Sequence, residues 1–145
     1  MLKQASVAQL RDGEISRAQG YMVVCMAFYP RGLKKELMDE YRTHLAPDRE
    51  LFAEWKEYEK KFGHEEAFKK SNYEARFALP PDALESLRRL TDISRKQDVY
   101  LICQCQIGER CHREILALIA RDKYRAEIAP LHNEYPVFEA RLKGK

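Results

Sequence analysis

The sequence predicts an α/β fold in three layers: a small, mainly parallel sheet flanked by helices, with a helical insertion after the first long strand. Three observations predict it. Short apolar runs without polar alternation occupy residues 22–28 and 99–105, as expected of strands buried on both faces. Helical periodicity fills the chain between them. The 145 residues, 45% hydrophobic and 34% charged, contain no linker that would split them, so residues 1–145 form one domain.

The elements follow in order. The first ten residues offer an edge strand, and residues 22–28 form the first long strand, after Gln19-Gly20 and before Pro30. Leu33, Leu37 and Tyr41 are spaced four apart, which predicts a helix. Leu51, Phe52, Trp55, Tyr58 and Phe62 form an apolar stripe entered through Pro47-Asp48, and residues 65–79 predict another helix with Phe68, Ala75 and Leu79 inward. Residues 33–79 therefore read as a largely helical insertion. Pro80-Pro81-Asp82 opens a helix carrying Leu84, Leu87, Leu90 and Ile93, with Asp82 as cap and Glu85 three residues later. Residues 99–105 form the second long strand, and Ile115, Leu116, Leu118 and Ile119 mark a helix beginning near Cys111. Residues 125–131 are a weaker third strand candidate.

Charge and composition exclude several classes. The net charge of +3 is spread over the whole chain, whereas a protein gripping nucleic acid by its backbone carries a basic stripe and a higher pI than 8.6. Tyr124, Arg125, Arg141, Lys143 and Lys145 read as a solvated tail. The longest apolar run, residues 21–29, is far short of the roughly 20 residues a membrane helix needs, so no membrane partner is expected. The N-terminus lacks a secretory h-region. Four cysteines in a chain with ample core residues call for no disulfide framework, and three of them crowd into residues 103–111. A reduced, cytoplasmic protein is expected.

Ligands of parallel sheets bind beyond the carboxyl ends of the strands. That rule selects the loop Phe28-Tyr29-Pro30-Arg31-Gly32 and the loop from Gln106 to Arg113. If their strands are neighbours, Arg31 and Cys111-His112-Arg113 face one crevice, with Tyr29, Gly32, Cys105 and Gly108 lining it. Cys103 and Cys105 are in phase and point to one side. Cys111, at a helix start beside His112 and Arg113, can ionise below the usual thiol value of about 8.5. Cys111 and His112 are thus the candidate reactive groups, with Arg31 and Arg113 as forks for an anion. Cys25 reads as a small core hydrophobe. His44, His64 and His132 read as solvent-facing, although His132 ends the third strand candidate along the same edge. Cys103, Cys105, Cys111 and His112 also match zinc ligation by type, but they lack the usual repeated knuckle spacing.

At these residues the sequence resembles the domain-of-unknown-function family 488. The matching pieces are Tyr29-Pro30-Arg31-Gly32-Leu33 with Lys35-Glu36, Leu45-Ala46-Pro47 with Glu50-Leu51 and Trp55, and Leu101-Ile102-Cys103 through Cys111-His112-Arg113. The resemblance implies a compact α/β domain whose two loops share a pocket, and it implies no particular reaction. One departure stands out: many relatives carry an Asp-Arg pair where this chain reads Met26-Ala27.

The leading functional reading is a small enzyme or enzyme-like domain binding an anionic, phosphate-bearing ligand such as a nucleotide or a nucleic-acid fragment. Whether it catalyses is left open by the residues. One alternative is a metal-binding or thiol-redox protein using Cys103, Cys105, Cys111 and His112, and another is a non-catalytic interaction module. No cofactor is expected, zinc or iron being the candidates under the metal reading. A homo-oligomer is compatible with all three.

Overall fold

The computed structural model describes residues 1–144. Among these, strands β1 (Leu2–Ser6), β2 (Tyr21–Val24), β3 (Glu40–Tyr41) and β4 (Val99–Cys103) form one sheet in the order β1-β4-β2-β3, parallel throughout. The helices are α1 (Val7–Asp12), α2 (Arg49–Phe62), α3 (His64–Lys70), α4 (Tyr73–Arg76), α5 (Pro81–Ser94), α6 (His112–Tyr124) and α7 (Pro136–Lys143). The two long runs are adjacent strands, with Val24 beside Ile102. Gly20 lets them approach at their start, since a Cβ there would lie 2.5 Å from the Asp98 carbonyl oxygen.

Strand alternation sends side chains to opposite faces, and the faces are unequally covered. Leu2, Val23, Cys25, Val99 and Leu101 join the large core built with α2 to α7. Ala5, Met22, Val24 and Ile102 face a smaller core closed by Val7 and Leu10 of α1, Ile15 and Leu33. A fully buried aliphatic side chain contributes about 1.5–3 kcal/mol, so most of the stability lies on the large face. There α6 packs against α5, α7, β1 and β4. Every residue from His112 to Ala120 is buried, polar ones included.

Four local expectations are corrected. The segment from Leu33 to Tyr41 is not a helix; it holds a single 3-10 turn at Lys35–Leu37 and then β3. Asp39 explains why: its carboxylate and its N–H engage the Met22 N–H and C=O, both at 2.8 Å, which draws the following residues alongside β2. Residues 65–79 break into α3 and α4 at Asn72, which adopts φ 54°, and Leu79 lies beyond them. The third strand candidate pairs with β1 only through an isolated bridge from Ile128 to Leu2. Pro130 lacks the N–H that would extend the ladder. The cap of α5 is also shifted: Pro80 is the N-cap residue and Asp82 lies inside the first turn.

Candidate functional site

The loop after β4 and the start of α6 build the centre. β4 ends at Cys103 on the large-core face, Gly108 turns the chain with φ 99°, and Cys111 in extended conformation is the N-cap residue of α6. Cys111 makes no side-chain cap bond; its backbone N–H donates instead to the Tyr135 hydroxyl at 3.1 Å. That hydroxyl donates to the buried Glu114 carboxylate at 2.5 Å. The carboxylate also accepts from the His132 N–H at 2.6 Å and the Asn133 side chain at 3.0 Å. Glu114 thus ties residues 132–135 to the helix start. His132 contributes its backbone to this clamp, and its ring does not line the cavity described below.

His112 is locked by one strong contact. Its Nε2 lies 2.6 Å from the Cys25 carbonyl oxygen, an atom that can only accept, so Nε2 carries a proton. Nδ1 then faces sulfur: Cys111 Sγ at 3.6 Å and Cys103 Sγ at 4.0 Å. Burial works against ionisation of Cys111. Hydrogen bonds from Cys103 and Cys105 and the charges of His112 and Arg113 outweigh it and hold the thiol well below its usual range. Burial likewise opposes a charged His112, but the negative charge on neighbouring Cys111 raises the imidazole well above its usual value. Cys105 is pushed up by its hydrogen bonds to Cys103 and Cys111 and by burial, so it stays a thiol. Cys25 is buried, its thiol is pushed up chiefly by that burial, and its Sγ–H donates to Ile102. It is the core residue that its strand position predicts.

Arg113 is 0% exposed. Its Nη1 donates to the Ala5 carbonyl at 2.5 Å and its Nη2 to the Gln106 carbonyl at 3.2 Å, while Nε has no partner. Among the described residues no carboxylate pairs with it; Glu109 instead accepts from the Gln106 N–H and approaches His64 at 3.8 Å. Its electrostatic neighbours are the thiols of Cys111, Cys103 and Cys105.

A cavity of about 300 Å³ opens onto this centre. Its floor includes Cys103, Cys105, Cys111 and His112, and its walls include Phe28, Phe52, Trp55, His64, Phe68 and Tyr73. Phe52 and Trp55 stack at 6.1 Å, and the Trp55 and His64 rings meet edge-on at 5.1 Å. His64 sits on the rim, with Nε2 on the Arg110 carbonyl at 2.6 Å and Nδ1 near Glu59 at 3.1 Å.

The structure therefore joins the cysteine cluster and His112 in one pocket, with Cys105 lining it as expected; of the other loop only Phe28 reaches the wall, and Tyr29, Arg31 and Gly32 lie outside. Arg31 is exposed and absent from the cavity wall. Its backbone carbonyl accepts from Arg11 of the α1 region at 2.8 Å, because Leu33 is buried in the small core and draws the turn to that face. Tyr29 follows it, stacking edge-on with Tyr41 at 5.2 Å and donating to the Leu33 carbonyl. Gly32 and Gly108 do not line the cavity either, and Arg113 lies behind its wall. Trp55 and His64 were not picked out as site residues. Trp55 shows in sequence as one member of an apolar stripe and of the family resemblance, neither of which marks it as a pocket residue, and His64 carries no local signal.

Residues 6–132 match the family model DUF488-N3a, described as the active DUF488-N3 subclade. No curated protein and no solved structure gives a significant match to the chain.

Proposed function

The chain belongs to the DUF488 family, and we propose that it is a small enzyme whose reactive group is the Cys111 thiolate at the floor of the aromatic cavity. The observation that carries this reading is the buried Arg113 cation without a carboxylate partner. An unpaired buried charge costs several kcal/mol, and its neighbours are thiols. A negative charge on Cys111, held between this cation and the His112 imidazolium, lowers that cost. On this reading the anion expected beside Arg113 is the protein's own sulfur, and Arg31 has no part in holding a ligand. The Cys111 proton rests on His112 Nδ1 while Nε2–H stays on the Cys25 carbonyl. In the reaction the sulfur pair forms a bond to an electrophilic carbon of the ligand, and the leaving group departs with its own pair and takes the Nδ1 proton. The description of the subclade as active agrees with catalysis.

Alkylation tests this. Cys111 should react with iodoacetamide at pH 6 at least tenfold faster than Cys25, mapped by peptide mass spectrometry. Equal, slow modification of all four cysteines would remove the thiolate.

A second reading is favoured by the position of His112. Tetrahedral zinc, with bonds of about 2.0–2.3 Å, sets a sulfur–nitrogen separation of about 3.6 Å. The observed values are 3.6 and 4.0 Å, and the donated Nε2–H is the outer contact metal-binding histidines use. Cys103, Cys111 and His112, with Cys105 facing them, would then hold a soft divalent ion, whose extra negative thiolate charge Arg113 would offset. About one equivalent of zinc or iron in protein purified without added metal, lost in Cys111→Ser, would replace the thiolate reading with this one.

A further inference from the structure

We propose that the cavity binds an uncharged, flat heteroaromatic ring carrying hydrogen-bond acceptors, of the nucleobase type, and that the indole N–H of Trp55 donates to it. The proposal rests on the reading of this cavity as the ligand site and adds the chemical class of what fills it.

Two independent observations carry it. Trp55 is 7% exposed and lines the cavity, yet its Nε1–H has no partner among the described residues. A buried donor left unpaired is costly, and native structures rarely tolerate one without a ligand or water to meet it. The walls around it are rings: Phe28, Phe52, Phe68 and Tyr73. Aromatic walls with few polar groups suit a flat π-system, and a ring nitrogen or carbonyl oxygen on that system would accept from Trp55.

Charge excludes a phosphate in the same place. Glu59 and Glu109 line the opening, and the cations that line it are already engaged. Arg110 bonds to Glu65 and to the Glu134 carbonyl, Lys56 lies 3.6 Å from Glu59, and His112 is held by the Cys25 carbonyl and the Cys111 sulfur. Arg113 is sealed behind the floor with both Nη groups on carbonyls. A phosphate would meet carboxylates with no spare cation, whereas an uncharged ring meets neither penalty.

The chain has one tryptophan, so its indole N–H gives a single resonance in an ¹⁵N-correlated spectrum. Adenine, hypoxanthine and uracil serve as probes, with indene as a flat hydrocarbon of similar shape. The expected result is saturable binding of at least one base, with a downfield shift of the indole proton. Trp55→Phe keeps the ring and loses the donor, and it should weaken base binding by about tenfold by calorimetry. Indene should bind more weakly and leave the indole proton unshifted. The proposal is overturned if no base binds at millimolar concentration, if indene binds as well as the bases, or if Trp55→Phe binds them like wild type. Should Trp55→Phe fail to fold, the indole resonance of the wild type decides alone. None of these readouts needs a reaction at Cys111, so they stand or fall separately from the alkylation result.

Discussion

The loops after β2 and β4 start side by side, at the carboxyl ends of adjacent strands, and each carries an arginine. They end on opposite faces of the sheet. After β2, Leu33 enters the small core with Val7 and Leu10, and Arg31 is carried out over α1 into solvent. After β4, the chain passes Gly108 into a helix whose first nine residues are all buried on the large face, and Arg113 is enclosed with the thiols. A shared strand end therefore does not bring both arginines into one site, although Phe28 still reaches the cavity wall. The nearest apolar residue downstream decides which face a loop serves, because burying it is worth more than anything an exposed guanidinium gains.

The sharpest way to break this contrast is to remove each arginine. Arg113→Ala should cost about 3–5 kcal/mol, since it leaves two carbonyls without their donors and takes a cation away from the buried thiolate. Arg31→Ala should stay within about 0.5 kcal/mol, as surface changes do. Urea unfolding of both variants checks the difference, and similar losses would mean that the two side chains are held alike.

Leu33→Ala tests the anchor itself. The loss should be about 2–4 kcal/mol, as for buried Leu truncations, with the Cys111 alkylation rate unchanged. A slower Cys111 would show that the two loops are coupled after all.

Next comes the clamp holding β3 beside β2. Burial alone would push the Glu40 carboxyl up, but bonds from Arg89, Tyr21 and Arg42 hold it down at about 2. The folded state thus binds this proton later than the unfolded chain does. Its contribution is full above pH about 4.5 and is lost as pH falls towards 2. The Glu40 side chain is 6% exposed while its arginine partners are about 40% exposed, so we expect on the order of 2 kcal/mol. Glu40→Gln should lower stability at pH 7 by that amount and flatten the acid limb of the melting curve. An unchanged acid limb would move the pH sensitivity elsewhere.

The smallest effect is an expected absence. Phosphate and sulfate at millimolar concentration should leave the melting temperature unchanged beyond their general salt effect. A specific rise that disappears in both Arg31→Ala and Arg113→Ala would restore a pocket shared by the two loops.

Much of the fold was legible because it is written in local chemistry. The apolar runs at residues 22–28 and 99–105 supplied β2 and β4, although the strands end early, at Val24 and Cys103, and Asp48 caps α2 with its carboxylate on the Leu51 N–H at 2.8 Å. The cluster of Cys111, His112 and Arg113 was equally visible, since a helix start beside a strand end is a short-range event. Tertiary structure alone decided the rest. His64 and Trp55 reach the cavity from α3 and α2, and no spacing in the chain announces a contact such as that of His64 with the Arg110 carbonyl, 46 residues away. The same holds for Arg113. Its sequence neighbours predict a cation at a helix start, and only the packing of α6 between sheet and helices makes it a buried charge that must find its counter-ion inside the protein. The physical reason is that capping and periodicity act within a turn or two of the backbone, whereas burial and charge balance are set by segments that meet only when the whole sheet has formed.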